Sequence, residues 1–500
     1  MTESTSRLPP FHADVCARAL DARDPRFDGL FFVGITTTWI YCRPICPARV
    51  SYPDRRRFFA SAAAAERAGF RPCLRCRPEL APGRAIVDAV PRLASAATNR
   101  IGAGALNGHS VAELARELGV SARHLRRALE REVGVSPVEL AQTYRLLLAK
   151  RLLADTRLSV TRIAFASGFQ SLRRFNAAFH EQYRMAPSAL RRAARPPIAD
   201  SAPLGEEPLR LTLAYRAPLA WQPLLQLLGR DAVPGVEVVD GRRYGRTVRL
   251  EGRHGIVFAE DAPESAHLIV DISPSLVPVL MPLLARLRQL FDLDAEPLVI
   301  DAHLSEGGLG DLVAARPGMR IPGALDGFEI ALRGLLRGGG RAGVANSDVV
   351  GRVTEDLGEP LDTGVPALTR LAPDADRLAE AGPSRLVALG VPRRRAEAAV
   401  ALARAVAEGT LRLEPGGDAG ATRHALLAID GIGDSLATGI LMRALRWPDA
   451  FPLADRRLQR AAGVPNRRAL LARAERWRPW RAYAALHLWL REGTRSGVTA

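Results

Sequence analysis

The sequence predicts a multidomain chain, mainly α with α+β parts. Three observations predict it. Four of the five cysteines fall in two close pairs near the amino end, the spacing of a small metal module. A pair of Ser-opened helical segments occurs twice between residues 108 and 193, which marks an all-α repeat. Beyond residue 207, strand-like alternation gives way to helical periodicity. The expected parts are a small zinc-binding α+β module over 1–84, an all-α double helix-turn-helix domain over 108–193, an α+β domain over 207–290 and an all-α domain over 291–495.

Composition narrows the function class. Five hundred residues suffice for two to four domains, each with its own core. Lys and Arg number 70 against 53 Asp and Glu, a formal charge of +17, and most of that base is Arg. Arg favours bidentate phosphate contacts, although positive charge alone also suits an anionic membrane surface. The first ten residues have neither an apolar run nor a cationic leader, so no signal peptide is expected. The longest apolar stretch, residues 268–287, is broken by Asp271, Pro274, Pro278 and Pro282, and is not read as a membrane span. A soluble, cytoplasmic, nucleic-acid-binding protein is expected.

The first part is organised by Tyr41-Cys42-Arg43-Pro44-Ile45-Cys46 and Arg71-Pro72-Cys73-Leu74-Arg75-Cys76. Two close pairs separated by 26 residues suit four thiolates closing on one zinc ion, with Cys42, Cys46, Cys73 and Cys76 as ligands. A cytosolic chain keeps its thiols reduced, which favours a metal over two disulfides. Arg43, Arg49, Arg55, Arg56, Arg57, Arg71, Arg75 and Arg77 surround the ligands, a charge pattern suited to a phosphate backbone. Of these, Arg43, Arg71 and Arg75 are expected to contact DNA. Residues 28–34 and 36–41 read as strands and residues 61–68 as an Ala-rich helix stopped by Gly69. Cys16 reads as a core residue, and residues 81–108 as a loose connection. The stretches Phe31-Phe32-Val33-Gly34, Thr37 through Pro44 and Gly69 through Cys76 resemble the amino-terminal domain of the Ada family. That resemblance implies that Cys42 takes a methyl group from a DNA methylphosphotriester and is spent after one transfer. The chemistry is coherent, because zinc holds a thiolate deprotonated at neutral pH.

In the second part, Ser110 through Leu129 and Ser159 through Phe179 repeat one pattern. Each copy has a short apolar-periodic helix, an Ala four residues before a Gly, and a second helix opened by Ser. The small Ala permits close helix approach and the Gly takes a tight turn, which is helix-turn-helix geometry. Residues 143–155 read as one connecting helix with Tyr144, Leu147, Leu148 and Leu152 on its buried side. Arg123, His124, Arg126 and Arg127 in one copy, and Arg173, Arg174 and Asn176 in the other, occupy outward recognition-helix positions. The segment resembles the AraC-type DNA-binding domain. This implies promoter DNA as a partner, and RNA polymerase with it.

Residues 195–207, with three prolines, read as a linker. Strands are expected over 209–215, 235–239, 243–250, 254–258 and 266–272, and helices over 221–229 and 275–291. From residue 291 the chain reads as mostly helical. Leu427 through Gly433 reads as a helix-hairpin-helix turn, where Gly431 and Gly433 let backbone N–H groups meet a DNA phosphate. Together with Phe451-Pro452-Leu453-Ala454-Asp455, 22 residues from Gly433 to Asp455, and with Ala474 through Ala484, this resembles the AlkA-type 3-methyladenine DNA glycosylases. The resemblance implies that Asp455 supports the sugar cation, or orients a water, as an alkylated, flipped purine such as 3-methyladenine or 7-methylguanine is released. It also implies Trp489 as a stacking wall for that base.

The chain departs from the family pattern at several places. Asp430 brings a negative charge to the hairpin, Ser435 and Gly439 replace aromatic pocket positions, and Arg456 follows the carboxylate. By alignment Gly339, within Arg337-Gly338-Gly339-Gly340-Arg341, stands where relatives insert a wedge, in a segment expected to be helical. Ser435 also stands where bifunctional relatives use Lys, so no lyase step is expected. The cysteines left do not suffice for an iron–sulfur cluster. The Pro-Cys-His-Arg motif of guanine-O6 methyltransferases is absent and no sixth cysteine exists to serve it, so direct guanine-O6 repair is not expected. The whole reads as an Ada–AlkA fusion, a methyl acceptor, regulator and monofunctional glycosylase with one zinc ion held by four cysteines. It is expected to act as a monomer on alkylated and promoter duplexes in the bacterial nucleoid. The alternative is a regulator whose glycosylase-like part only binds DNA; a plain zinc-dependent DNA-binding protein is a third reading.

Overall fold

A computed structural model describes residues 12–48, 51–83, 92–194, 207–337 and 345–496. The chain divides into two compact units, Met1–Arg216 with Ile269–Ala285 and Ala217–Leu268 with Arg286–Ala500.

In the first unit, helix α1 (Ala13–Asp21) precedes strands β1 (Phe32–Ile35), β2 (Ile40–Cys42) and β3 (Arg56–Phe59). Helix α2 (Ala62–Arg67) and the short strand β4 (Arg71–Pro72) follow. The four strands form one sheet in the order β3-β1-β2-β4, antiparallel except for β2 with β4. The two strands expected from the sequence are present but shorter. Strands β3 and β4 were not legible, because Arg56 and Arg57 break the apolar alternation and β4 has only two residues. Ser61 caps α2 through the Ala64 N–H at 3.1 Å. The register β2–β4 sets Tyr41 against Pro72, so the first cysteine pair is brought beside the second. Cys16 is fully buried, as expected of a core residue.

The expected loose connection before residue 108 is corrected by helix α3 (Arg92–Gly102). Its small residues Ala94 and Ala97, with Ile101, pack into a core with Leu114, Leu125 and Leu129. Ala- and Ser-rich composition hid that face from an apolar-periodicity reading. Helices α4 (Val111–Glu117), α5 (Ala122–Glu132), α6 (Pro137–Asp155), α7 (Val160–Ala166), α8 (Leu172–Tyr183) and α9 (Pro187–Ala194) complete the repeat. Ser110, Ser121, Ser136, Ser159 and Ser171 each cap the helix that follows. Ser110 with Glu113 and Ser136 with Glu139 form reciprocal capping boxes. The turns within the two copies place Gly119 and Gly168 at φ of +69° and +85°, which a side chain would strain. The connecting helix α6 begins six residues earlier than expected, at Pro137. Strand β5 (Leu209–Ala214) also belongs to this unit.

The second unit carries helix α10 (Trp221–Asp231) and an antiparallel meander of β6 (Glu237–Asp240), β7 (Arg243–Leu250) and β8 (Arg253–Ala262). Strand β9 (His267–Ile272) and helix α11 (Leu280–Leu290), most of whose residues belong to the first unit, end the expected α+β region. Helices α12 (Pro297–Leu304), α13 (Gly310–Ala315), α14 (Gly327–Arg337) and α15 (Ala345–Leu357) come next. They are followed by α16 (Ala375–Ala388), α17 (Arg393–Ala407), α18 (Ala419–Leu427) and α19 (Asp434–Arg443). The last are α20 (Arg456–Ala461), α21 (Arg467–Ala474) and α22 (Arg481–Ser496). A buried ionic group ties the meander to α14: Glu237 meets Arg333 at 2.5 Å and Glu329 meets Arg246 at 2.8 Å. Tyr244 adds a 2.5 Å hydrogen bond to Glu237, so each buried charge has an opposite partner. Among the described residues, no helix is long and apolar enough to cross a membrane.

Candidate functional site

The thiol sulfurs of Cys42, Cys46, Cys73 and Cys76 all lie within 4.8 Å of one another, and all four residues are buried. β2 delivers Cys42 and the turn after it Cys46; the turn after β4 delivers Cys73 and Cys76. Backbone N–H groups of Arg43 and Arg75 point at Cys76 Sγ and Cys73 Sγ, each at 3.4 Å. Hydrogen bonds among the four thiols push Cys42 up and hold Cys73 down. Four such groups ionise together only around a cation, and this donor set fits one zinc ion.

The arginines around the cluster take different places. Arg43 does not face outward as expected. It is buried, donating to Asp28 Oδ1 at 2.8 Å and to the Cys76 carbonyl at 3.1 Å. It therefore braces the ligand loop, because a cationic side chain that flanks a buried carboxylate is drawn inward. Arg56 is similarly engaged with Asp21, and Arg77 with Asp155 at 2.7 Å. Arg55, Arg57 and Arg75 are exposed, and Arg71 is half-buried; Arg49 lies outside the described residues. A cavity of about 380 Å³ opens beside Cys42, Cys46 and Cys73, with Arg71 and Arg75 also lining it. Its walls are mainly apolar and include Tyr183 and Met185 from the end of the second helix-turn-helix copy.

That neighbourhood is built rather than incidental. Glu66 is half-buried and accepts from Tyr41, next to Cys42, at 2.9 Å and from Thr143 of α6 at 2.7 Å. Burial pushes Glu66 up to about 7 against the pull of those two hydroxyls and Lys150. Lys150 of α6 meets Glu79 at 2.5 Å, and Gln182 donates to the Phe70 carbonyl at 3.3 Å. Sequence reasoning missed Glu66, Glu79 and Lys150, since no local motif contains them.

The helix-turn-helix residues stand as expected. Arg123, His124, Arg126 and Arg127 are exposed on α5, and Arg173, Arg174 and Asn176 on α8. Leu125 and Leu129, and Phe175 and Phe179, bury the opposite faces.

In the second unit, Gly431 takes φ of +96° between α18 and α19. Gly433 opens α19 without a side-chain cap, so its first N–H groups are not satisfied by the cap residue. Asp430, which brings a negative charge to the hairpin, pairs with Arg394 of α17 at 2.7 Å, and this bond holds its carboxyl below the usual range. Ser435 is exposed. Nothing stands within 4 Å of where a Gly439 Cβ would lie. Gly339 lies outside the described residues.

Asp455 caps α20 by accepting the Arg457 backbone N–H at 2.8 Å. Its other contacts are the Arg457 guanidinium, at 3.0 and 3.3 Å, and the Trp489 indole N–H at 2.9 Å. Burial pushes this carboxyl up, but the bonds from Arg457 and Trp489 outweigh it and leave it below the ordinary range. Trp489 is half-buried on α22, which is anchored by Tyr483 on Asp292 at 2.6 Å and by Arg481 on Asp449 at 2.6 Å. Trp489 thus orients the carboxylate, a role that its stacking assignment did not anticipate. Arg456 is exposed.

Three family profiles match the chain: the metal binding domain of Ada over residues 15–79, a helix-turn-helix domain over 114–193, and the AlkA N-terminal domain over 210–326. A probable bifunctional transcriptional activator/DNA repair enzyme AlkA from Mycobacterium tuberculosis is 38% identical over 479 residues, 95% of each chain. DNA-3-methyladenine glycosylase 2 of Escherichia coli is 36% identical over 56% of this chain and 97% of its own length. The bifunctional activator/repair enzyme Ada of Escherichia coli is 52% identical over 60 residues, 12% of this chain and 17% of its own.

Proposed function

Because this chain belongs to the Ada–AlkA family of bifunctional transcriptional activators and DNA repair enzymes, we propose that its chemistry is divided between Cys42 and Asp455. Cys42 takes a methyl group from a DNA methylphosphotriester. Cys42, Cys46, Cys73 and Cys76 would hold the zinc ion, whose charge would keep their thiols deprotonated. An S–C bond forms at Cys42 Sγ as the methyl C–O bond breaks, and the phosphodiester leaves with the electron pair as an anion. The product thioether carries no charge, so the step does not reverse. It also removes one negative charge beside the DNA backbone, which lowers repulsion toward phosphates. Arg71 and Arg75, which line the cavity with Cys42, suit the role of phosphate partners.

Asp455 serves the second reaction, the release of 3-methyladenine and 7-methylguanine. The N-glycosidic bond breaks with its electron pair going to the cationic purine, which departs neutral. The sugar is left as an oxocarbenium-like cation that the carboxylate stabilises until water adds and loses a proton. The uncapped start of α19, with Gly431 and Gly433, would hold a phosphate near the lesion. Residues exposed on α5 and α8 would read a promoter, with RNA polymerase as the further partner.

The observation that carries this reading is the closed four-thiol cluster with Cys42 opening onto a cavity. Incubation with DNA bearing methylphosphotriesters, followed by peptide mass mapping, should place one added methyl group on Cys42. A methyl group on Cys46, Cys73 or Cys76 instead would overturn the assignment.

A further inference from the structure

The Asp455 carboxylate is saturated by the protein itself. A carboxylate has about four acceptor positions. Here Oδ1 receives the Arg457 backbone N–H at 2.8 Å and its Nε–H at 3.3 Å. Oδ2 receives Arg457 Nη2 at 3.0 Å and the Trp489 indole at 2.9 Å. Two of these donors belong to the fold, the cap of α20 and an indole packed against the core. The other two belong to the guanidinium, whose side chain is 57% exposed while that of Asp455 is 14% exposed. Arg457 therefore sets a positive charge against the carboxylate that would have to face a sugar cation.

We propose that Arg457 is a specificity-determining clamp, which attenuates the Asp455 charge and so confines excision to bases that leave readily. The inference rests on the glycosylase reading of Asp455. Its logic is differential. A cationic purine leaves with little help, so a weakened carboxylate suffices for it. A neutral purine needs the full charge, because its departure puts more of the barrier into the sugar cation. Removal of the guanidinium leaves the backbone cap and the indole bond in place, so Asp455 stays oriented.

The test uses the full-length chain as wild type, Arg457→Ala, Arg457→Lys and Asp455→Asn, with duplexes carrying one 7-methylguanine or one hypoxanthine. Single-turnover release is measured across pH, with thermal melting as a folding control. Arg457→Ala should release 7-methylguanine a few-fold faster and hypoxanthine about tenfold faster, the scale of one charge-assisted hydrogen bond. Arg457→Lys should fall between it and wild type. The acid limb of the rate profile should move to higher pH in Arg457→Ala, which a merely structural role would not produce. Slower release in a folded Arg457→Ala would overturn the proposal. So would equal release with only weaker DNA binding, since the guanidinium would then have left the carboxylate for a phosphate. If Asp455→Asn matches wild type, the glycosylase reading itself fails, an outcome distinct from failure of the clamp.

Discussion

At the scale of single residues, the cluster depends on a side chain that does not touch the metal. Arg43 and Asp28 are 10% and 6% exposed, and the pair holds the strand end that carries Cys42 to the loop that carries Cys76. Arg43→Ala leaves the Asp28 carboxylate buried without its partner, a loss on the order of 3–5 kcal/mol. Faster zinc release to a chelator is the expected outcome, read by a colorimetric zinc indicator. Zinc retention equal to wild type would mean that the ion pair does not brace the ligand loop. The ligands were legible because thiol chemistry requires close sequence pairs. Arg43 was not, because a motif cannot tell an arginine facing phosphate from one turned onto a buried carboxylate.

At the scale of elements, the helix caps were the most legible feature, since a Ser before an apolar run acts locally and needs no tertiary partner. Short strands and α3 were less legible, because a two-residue strand and an Ala-rich face carry little periodic signal. Tertiary placement decides α22. His487 is buried on it, and burial, with Arg316 beside it, pulls the imidazole down to about 4. The unfolded chain takes up this proton below about pH 6.5, the native chain only near pH 4. Stability from this group is therefore complete above about pH 6.5 and falls as pH drops toward 4, by up to about 3 kcal/mol. Thermal melting from pH 7 to pH 4 should show a smaller decline for His487→Leu than for wild type. Parallel declines would show that His487 does not control this window.

At the scale of the whole molecule, two chemistries on one chain need not share a requirement. The zinc ligands lie in the first unit and Asp455 in the second. Chelation of zinc should abolish methyl uptake at Cys42 while the rate of base release stays within about twofold, because the second unit has its own cores. Loss of both activities on chelation would show that the units depend on one another. The order of parts was legible from composition shifts and motifs. The ties between zinc module and helix-turn-helix repeat, through Glu66, Lys150 and Gln182, were not. They join residues more than 70 positions apart, which no local pattern encodes.

The assignment of repair chemistry to the second unit is tested most directly at Asp455. The measurement is release of 3-methyladenine from methylated duplex DNA by wild type and by Asp455→Asn, with duplex affinity determined in parallel. The account predicts release above the spontaneous rate by wild type and a loss of at least about a hundredfold in Asp455→Asn, with affinity nearly unchanged. Equal release by the two proteins, or none above the spontaneous rate by either, would contradict it and leave a regulator whose second unit only binds DNA.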